Sequence, residues 1–555
     1  MSRASIGEWL REVAADPSRR GAELVIESGR TTPAALDADA DALAHGLLDL
    51  GLVPGDRVAV LSPARVESLQ SWFGIVRAAM VEVPLNPAAG TTALGWCLAR
   101  SRARAVVCAP ELLDTLLEAV AQAPADQTAD HPGTQVEVVL LLPAEPGDDP
   151  GDEPGDEPGP TAPTPAPGGV RVLPFEQLRS APARPLPTVR ATAPAVVLFT
   201  SGTTGPPKGV VLSHRANLNL ARRTVELMGY SPADRLYSVF PLYHSNARCC
   251  SVLAAMEAGA GLLLHRRFTA SGFWEVCRRE QVTAFNYQGA MMSILHRQPA
   301  RDHDRRHRVR AAFGAPCPPE VFDAFERRFG VELTEIYGST EVSLVCEMPP
   351  TGRRVGTAGR SSPQYEVAVV DDLDRPNPPG EPGEIVVRPR RPGWMFDGYD
   401  ADPVATRESW RNLWFHTGDR GVLDDDGFLT FLDRVKDTVR RRGENISTWE
   451  VERVLAEHPS VAQVAAYGVA SELSEEDVMV AVVPAEAGRL DPEALLAHCA
   501  GRLTSFARPR YVRVVDALPM TPSQRVEKFR LREEGITVDT YDAQDAHDAG
   551  GVTAR

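Results

Sequence analysis

Hydrophobic and polar positions follow one another over most of the chain in the order strand, helix, strand. Residues 57–63 (RVAVLSP) are an apolar run of strand length, residues 68–79 have helical spacing, and residues 81–85 are predicted as another strand. Residues 105–108 and 136–142 are predicted to form further strands. Because consecutive strands joined through a helix pack as parallel neighbours, the pattern predicts an α/β fold built on parallel sheet.

An acidic stretch rich in proline and glycine, residues 143–169, interrupts this pattern. It repeats a PGD(D/E) unit that has no apolar face. Such a composition cannot bury a core, so we interpret the stretch as a flexible surface insertion, with an acidic docking arm as the alternative. The α/β pattern resumes at residue 195 and continues to about residue 433.

From residue 435 the pattern becomes that of a small α+β unit. Its predicted elements are a helix over 448–458, strands over 461–469 and 478–483, and a helix over 492–505. We therefore expect an N-terminal domain of residues 1–433, a C-terminal domain of residues 434–541 and a disordered tail of residues 542–555.

Charge and cysteine content exclude several classes of protein. The chain has 59 Lys and Arg and 75 Asp and Glu residues, and its net charge of −16 argues against a nucleic-acid or membrane binder. The eight cysteines show no CxxC spacing, as in reduced cytoplasmic proteins. Residues 1–13, MSRASIGEWLREV, lack the apolar core expected of a signal peptide, and the most apolar run, 251–264, is too short to span a bilayer. We expect a cytoplasmic protein, a monomer or a homodimer.

The strongest local signal is residues 196–214, VVLFTSGTTGPPKGVVLSH. An apolar strand leads into a loop of Ser, Thr and Gly, which is followed by Pro-Pro-Lys-Gly, a second strand and a helix. This loop offers unhindered backbone N–H groups, hydroxyl groups and one ammonium, which together suit a polyphosphate. The string lacks the GxxxxGK[ST] pattern of P-loop NTPases.

Further motifs follow this string in order, and together they resemble the AMP-forming adenylate-forming superfamily of acyl-CoA ligases, firefly-type luciferases and peptide-synthetase adenylation domains. These motifs are PLYH (241–244), GAP (314–316), YGSTE (337–341), WFHTGD (414–419) and DRVKDTVRRRGEN (433–445). Phrases such as NYQGAM (286–291) are closest to the branch of carnitine- and crotonobetaine-CoA ligases. The resemblance implies an α/β fold with a large N-terminal domain of sheets sandwiched with helices and a small mobile C-terminal α+β lid.

The resemblance also implies how ATP is held. Glu341, with Thr340 beside it, would bind Mg²⁺, which prefers hard carboxylate oxygens. Asp419 would accept hydrogen bonds from both ribose hydroxyls, with Arg434 assisting, and Tyr337 would stack on the adenine. The implied ATP-binding residues are Thr200, Ser201, Gly202, Thr203, Thr204, Gly205, Lys208, Gly314, Ala315, Tyr337, Gly338, Thr340, Asp419 and Arg434.

The catalytic lysine of this family, expected in a Pro-x-Thr-x-x-Gly-Lys context, is replaced. Residues 519–528 read PMTPSQRVEK, so Gln524 and Arg525 stand where Gly and Lys are expected. Either Arg525 neutralises charge at the phosphorus, or Lys528 does so through a shifted loop. We favour Lys528 because the chain has only three lysines, although an ordinary surface lysine is the plain alternative. The implied catalytic residues are Lys208, Glu341, Arg525 and Lys528, and Lys436 marks the implied hinge of the lid.

The resemblance implies a substrate pocket next to the nucleotide. A buried guanidinium at Arg248 would hold a second carboxylate or another polar group of the substrate, and the alternative is an arginine at the rim that points to solvent. Cys249, Cys250 and Cys317 are interpreted as packing residues. The implied pocket residues are His244, Ser245, Asn246, Arg248, Gln288, Gly289 and Ser339.

The implied reaction begins when a carboxylate attacks the α-phosphorus of Mg-ATP and releases pyrophosphate. A thiol, that of CoA or of a carrier protein, then displaces AMP. The partners are therefore ATP, Mg²⁺, CoA and a small-molecule carboxylic acid. One alternative is a diazotase of natural-product biosynthesis, which uses ATP and nitrite to convert an aryl amine, such as an aminobenzoic or aminocinnamic acid, to a diazo compound. Another is a non-catalytic protein that binds a nucleotide or an acyl group.

Overall fold

The structure of the chain is a computed structural model, and helices and strands alternate through it. It describes residues 4–27, 29–122, 134–145, 164–165, 169–200, 207–315, 317, 319–371, 373–434, 438–441, 444–471, 475–485, 490–519, 526 and 528–543. In chain order its α-helices are α1 (Ile6–Ala15), α2 (Pro33–Asp49), α3 (Val66–Arg77), α4 (Thr91–Ser101), α5 (Leu113–Ala121), α6 (His214–Met228), α7 (Ala254–Ala258), α8 (Phe273–Arg279), α9 (Gly289–Arg297), α10 (Pro319–Phe329), α11 (Pro403–Glu408), α12 (Thr448–Ala456), α13 (Pro492–His498) and α14 (Lys528–Glu534).

The strands are two to ten residues long. In chain order they are β1 (Leu24–Ile26), β2 (Gly29–Thr31), β3 (Arg57–Leu61), β4 (Val81–Leu85), β5 (Ala105–Cys108), β6 (Val138–Leu141), β7 (Thr164–Pro165), β8 (Arg171–Pro174), β9 (Pro194–Thr200), β10 (Lys208–Ser213), β11 (Arg235–Ser238), β12 (Gly261–Leu264), β13 (Ala284–Gln288), β14 (Ala311–Ala315), β15 (Glu332–Ser339), β16 (Ser343–Glu347), β17 (Arg360–Ser361), β18 (Tyr365–Val370), β19 (Gly383–Pro389), β20 (Gly398–Tyr399), β21 (Trp410–Arg411), β22 (Trp414–Leu423), β23 (Leu429–Arg434), β24 (Thr438–Arg441), β25 (Glu444–Ser447), β26 (Val461–Ala470), β27 (Glu476–Pro484), β28 (Tyr511–Val514) and β29 (Tyr541–Asp542).

Two large sheets organise the N-terminal part. Within the described residues the first has the order β17-β16-β15-β14-β13-β11-β12-β1-β2, and β11 to β15 run parallel to one another. The second has the order β20-β10-β9-β4-β3-β5-β6-β8-β7, with a parallel centre and an antiparallel edge at β10 and β20. A third sheet is formed by β18, β19, β21, β22 and β23.

Helices fill the space between these sheets and close the cores. α1, α3 and α6 pack on the first sheet, where Trp9, Trp72 and Leu218 are buried with its strand residues. A separate core joins the second sheet to the third through Val210 and Ile385. The expected α/β architecture, with sheets and helices packed in layers, is therefore present.

The C-terminal part is a small α+β unit, as predicted. β24 and β25 form a hairpin, and β26 to β29 form a sheet covered by α12 and α13. The predicted helix over 492–505 ends early, at His498, because the chain turns at Gly501, whose φ is +77°. Among the described residues no helix combines the length and apolarity needed to cross a membrane.

The predicted insertion and the predicted tail are anchored at their described ends. Most of residues 143–169 lie outside the described part of the chain, but Glu145 is held by an ion pair with Arg266 at 2.7 Å. Thr164–Pro165 pairs with β8. Asp542, the first residue of the predicted tail, belongs to β29 and pairs with Tyr511. These contacts hold residues that composition alone would assign to a flexible insertion and a disordered tail.

Candidate functional site

Neighbouring parallel strands of the first sheet end at the residues that the sequence singled out. Gln288 ends β13, Ala315 ends β14 and Ser339 ends β15. His244 and Asn246 follow β11, the strand next to β13. Because the carboxyl ends of parallel strands meet at one edge, these residues share the edge where α/β sheets bind ligands.

Two glycines in this edge are required by close backbone approach. A Cβ atom on Gly314 would lie 2.0 Å from the carbonyl oxygen of Tyr287 on β13. A Cβ atom on Gly338 would lie 1.8 Å from the carbonyl oxygen of Ser343. No other residue fits either position without moving a strand, so both candidates shape the edge through the absence of a side chain.

Glu341 and Lys208 approach each other from different sheets. Glu341 lies in the turn after β15, where its two carboxylate oxygens accept hydrogen bonds from Ser339 Oγ at 2.7 Å and Tyr399 Oη at 3.1 Å. Lys208 begins β10, directly opposite Thr200 at the end of β9. Its ammonium lies 4.8 Å from the ring centroid of Tyr399. An acidic and a basic candidate therefore contact the same side chain.

Tyr337 and Asp419, two nucleotide candidates, are joined by a hydrogen bond. The phenol of Tyr337 donates to Asp419 Oδ2 at 2.8 Å, and both residues are buried. Burial, with the Asp419 charge beside it, raises the pKa of Tyr337 well above its usual value, so the hydroxyl remains a donor. Arg434 lies opposite Asp419 in the backbone pairing of β22 with β23.

The predicted substrate pocket contains a polar network. Asn286 on β13 donates its amide to Asn246 Oδ1 at 2.7 Å and to Ser251 Oγ at 2.9 Å. Asn246 begins a π-helical turn, Asn246–Leu253, that follows His244 and Ser245. His244 Nε2 lies 3.0 Å from Glu444 Oε2 at the start of β25. A carboxylate of the C-terminal part thus reaches the wall of the predicted pocket.

Arg248 is buried and already paired. Its side chain is 1% exposed and forms a two-pronged ion pair with Glu82 on β4, with Nη1 3.1 Å from Oε1. Its guanidinium also lies 3.8 Å from the ring centroid of Trp72. Burial raises the pKa of Glu82, while the Arg248 charge acts in the opposite direction. The residue does not point to solvent, and with its charge balanced it has little to offer a second substrate carboxylate.

Lys528 lies within the C-terminal part. Its ammonium donates to Thr448 Oγ1 at 2.8 Å and lies 2.7 Å from Glu452 Oε1, so it joins α14 to α12. The other candidate cation, Arg525, lies outside the described residues. So do the hinge candidate Lys436 and the phosphate-loop candidates Ser201, Gly202, Thr203, Thr204 and Gly205.

The residues that would hold Mg²⁺ fit its chemistry. Glu341 offers carboxylate oxygens at the edge of the sheet, and Thr340 precedes it. No cluster of three or more His, Cys, Asp or Glu residues that could hold a metal occurs in the described part of the chain. Mg²⁺ usually takes one or two protein carboxylates and completes its shell with phosphate and water, so a single carboxylate suits an ion delivered with a triphosphate.

Several site residues escaped the sequence analysis. Tyr399 stands in no quoted motif, and only its contacts mark it. Glu444 lies inside a quoted motif, but its partner His244 is far away in sequence. Glu82 lies in an apolar strand, where an isolated carboxylate is a signal for a buried partner.

Comparisons with known proteins place these residues in a family. The profile described as AMP-binding enzyme matches residues 11–400, and that described as AMP-binding enzyme C-terminal domain matches residues 450–525. Long-chain fatty acid transport protein 1 of Mus musculus is 32% identical over 543 residues, which cover 91% of this chain and 78% of that protein. Crotonobetaine/carnitine–CoA ligase of Escherichia coli is 30% identical over 550 residues, which cover 95% and 99%. The structure of amide bond synthetase McbA from Marinactinospora thermotolerans has a TM-score of 0.77 and 28% identity, covering 95% of this chain and 99% of that one.

Proposed function

This chain belongs to the AMP-binding enzyme family, and on that premise we propose that it adenylates a carboxylic acid with ATP, releases pyrophosphate and transfers the acyl group to CoA. The family is one of ligase-like enzymes that form AMP, and small-molecule carboxylic acids fit it as substrates. The CoA ligase among the similar proteins supports CoA as the acceptor.

One observation carries the proposal. The carboxylate of Glu341 and the ammonium of Lys208 contact opposite parts of one side chain, that of Tyr399, at the edge where β15 ends. A carboxylate suits a magnesium ion and an ammonium suits phosphate oxygens, and a triphosphate with its metal requires both charges close together. Tyr337 and Asp419, joined at 2.8 Å, support a nucleoside site nearby.

The residues suggest a division of labour in the first half-reaction. Lys208 neutralises charge on the phosphates, and Asp419 accepts the ribose hydroxyls. Glu341, with Thr340, would hold Mg²⁺, which withdraws charge from the phosphate oxygens when bound. The substrate carboxylate forms a bond to the α-phosphorus, and the bond to pyrophosphate breaks. In the second half-reaction the acceptor sulfur forms a bond to the acyl carbon, AMP leaves and the thiol proton passes to solvent.

An amine acceptor is the second candidate. It is favoured by the similarity to a protein named as an amide bond synthetase, which is 28% identical and covers 95% of this chain. The same acyl-adenylate would then form an amide in place of a thioester. The diazotase hypothesis has no support from the similar proteins named above, and nitrite enters the experiment as a separate arm.

The test is release of pyrophosphate and AMP from ATP with a panel of aliphatic, aryl and amino-aryl acids. Each acid is assayed without an acceptor and then with CoA, an amine or nitrite. We expect CoA to stimulate turnover and to yield a thioester identified by mass spectrometry. Glu341→Ala should fold normally, judged by circular dichroism, and lose about a hundredfold or more of the acid-dependent pyrophosphate release.

Other outcomes would change the proposal. An amide product with CoA inert would establish the second candidate, and turnover that requires nitrite would establish a diazotase. Wild-type protein that binds ATP but forms no AMP with any acid would support the non-catalytic alternative. Full activity of Glu341→Ala would overturn the assignment of that carboxylate to the metal.

A further inference from the structure

Tyr399 is the meeting point of the two charged groups assigned to ATP. Its hydroxyl donates to Glu341 Oε1 at 3.1 Å, and its ring lies under the Lys208 ammonium, 4.8 Å from centroid to Nζ. Tyr399 is uncharged, and it contacts Glu341 through its hydroxyl group and Lys208 through the face of its ring. A carboxylate takes a hydrogen-bond donor, and a cation takes the negative face of an aromatic ring.

The strand pairing explains this placement. β20 pairs antiparallel with β10, so that Tyr399 lies opposite Val210. Lys208 is two residues before Val210, and alternate residues of a strand share a face, which makes Lys208 the diagonal neighbour of Tyr399. On the other side, the backbone N–H of Phe396 donates to the carbonyl oxygen of Glu341 at 2.8 Å. The same segment is therefore bonded to both sheets.

The backbone of Tyr399 is fixed independently of its ring. Its N–H donates to Thr406 Oγ1 at 2.9 Å, and its neighbour Asp400 donates its N–H to the carbonyl oxygen of Gly209 at 2.6 Å. Asp400 is also paired with Arg57 at 2.5 Å. Because this backbone is already fixed, placing the Tyr399 ring requires ordering only the torsions of its own side chain.

We propose that Tyr399 is a positioning residue that holds Glu341 for the metal and Lys208 for the phosphates and prevents these two side chains from pairing with each other. Within the described residues Lys208 forms no ion pair with Glu341, because the phenol ring takes the ammonium and the hydroxyl takes the carboxylate. A direct pair would have to break before Mg-ATP could bind, and its cost would weaken binding. This inference rests on the proposed function, since that function supplies the roles of the two charged residues.

The experiment measures binding of ATP to the full chain by calorimetry, with no acid present, so that no turnover is required. Each variant is titrated in saturating Mg²⁺ and again in EDTA. Tyr399→Phe keeps the ring and removes the hydrogen bond to a carboxylate, so affinity in Mg²⁺ should fall about three- to thirtyfold while affinity in EDTA stays within twofold. Tyr399→Leu also removes the ring and should weaken binding under both conditions.

Two further variants make the test specific. In a Glu341→Gln background, Tyr399→Phe should cause no additional loss in Mg²⁺, because the carboxylate that it positions is gone. Tyr365→Phe is the matched control, since the buried hydroxyl of Tyr365 donates to a backbone carbonyl, that of Trp394, at 2.6 Å. It should leave the difference between Mg²⁺ and EDTA unchanged even if it lowers the melting temperature.

Several results would overturn the proposal. They are wild-type affinity of Tyr399→Phe in Mg²⁺, an equal loss in the Glu341→Gln background, or wild-type protein whose ATP binding does not depend on Mg²⁺. If Tyr399→Leu fails to fold, the comparison of Tyr399→Phe in the wild-type and in the Glu341→Gln background still tests the proposal. Failure of the proposed function is read separately, as the absence of AMP with every acid, because the calorimetry needs no substrate acid.

Discussion

Glu335 is a buried carboxylate whose ionisation is linked to the segment after β14. Its Oε1 accepts the backbone N–H of Cys317 at 2.5 Å, two residues after Ala315. Burial raises the pKa of Glu335 to about 7, although the Cys317 N–H and the nearby Arg353 lower it. The folded protein therefore binds this proton more tightly than the unfolded chain does. Raising the pH from about 4.5 to about 7 should therefore lower the free energy of unfolding, because the unfolded chain releases this proton while the folded protein still holds it.

Glu335→Gln tests this linkage, because the amide keeps an acceptor for Cys317 and cannot ionise. We compare the free energy of unfolding of the variant with that of wild type at each pH. This difference should shift in favour of the variant by up to about 3 kcal/mol from pH 5 to pH 8. The measurement is urea unfolding at both pH values. Glu332→Gln, an exposed position on the same strand, is the control and should show no such trend. A stability difference that is the same at pH 5 and pH 8 would show that Glu335 does not titrate in this range.

Single residues were predictable by type but not by partner. The motif context placed Arg248 beside the predicted pocket, but its counter-ion Glu82 is 166 residues away, and no periodicity connects the two. Tyr337 and Asp419 are likewise 82 residues apart and meet only because β15 and β22 converge. Local sequence carries the chemistry of each side chain, whereas the pairing depends on the topology of the sheets.

Elements with a clear pattern were predicted well. The strands over 81–85 and 105–108 occur with those bounds. Residues 105–108 are a continuous apolar run, as in a central parallel strand buried on both faces, whereas residues 81–85 include the buried Glu82. The hairpin of β24 and β25 and the π-helical turn Asn246–Leu253 were not predicted. Neither has a distinctive period, and the π-turn reads as ordinary helix in sequence.

That hairpin provides the contact between the C-terminal part and the predicted substrate pocket. Glu444, at the start of β25, lies 3.0 Å from His244 Nε2, and α12, which binds Lys528, begins directly after β25. Because the hairpin lies against His244, we expect the contact between Glu444 and His244 to serve the transfer of the acyl group to its acceptor rather than the adenylation of the acid by ATP. Glu444→Ala should therefore lower thioester formation two- to fivefold and leave pyrophosphate release within twofold, since a partly exposed pair contributes up to about 1 kcal/mol.

Single-turnover measurements of the two half-reactions separate these effects. Glu457→Ala removes an exposed carboxylate elsewhere on the same part of the chain and should change neither rate. A cycle that combines Glu444→Ala with His244→Ala should show that the two losses are not additive. Equal slowing of both half-reactions by Glu444→Ala would contradict a role confined to transfer.

At the scale of the whole molecule, the family resemblance predicted more than periodicity did. Ordered motifs predicted the large sheet domain and the small C-terminal unit. The anchored ends of the acidic insertion were not predicted, because the ion pair of Glu145 with Arg266 joins segments 121 residues apart. The composition of a segment does not indicate the distant residues with which it forms contacts in the folded chain.

The assignment of the catalytic cation also belongs to the whole molecule, because the group must come from the C-terminal part to a nucleotide held by the N-terminal part. Lys528 has two partners within its own part, Thr448 and Glu452, and using it would break both contacts. These contacts favour Arg525 as the cation. We expect Arg525→Ala to lower acid-dependent pyrophosphate release about a hundredfold or more with an unchanged melting temperature.

Lys528→Ala should behave differently. Losing the bond between α14 and α12 should lower the melting temperature by a few degrees, while pyrophosphate release per folded molecule stays within about threefold. Glu452→Gln removes the same ion pair from the other side and should reproduce that loss of stability. If Lys528→Ala instead abolishes pyrophosphate release at an unchanged melting temperature, the cation is Lys528. If both alanine variants adenylate at the wild-type rate, the charge at the α-phosphate comes from neither residue, and the departure from Gly-Lys at 524–525 is then without consequence for the first half-reaction.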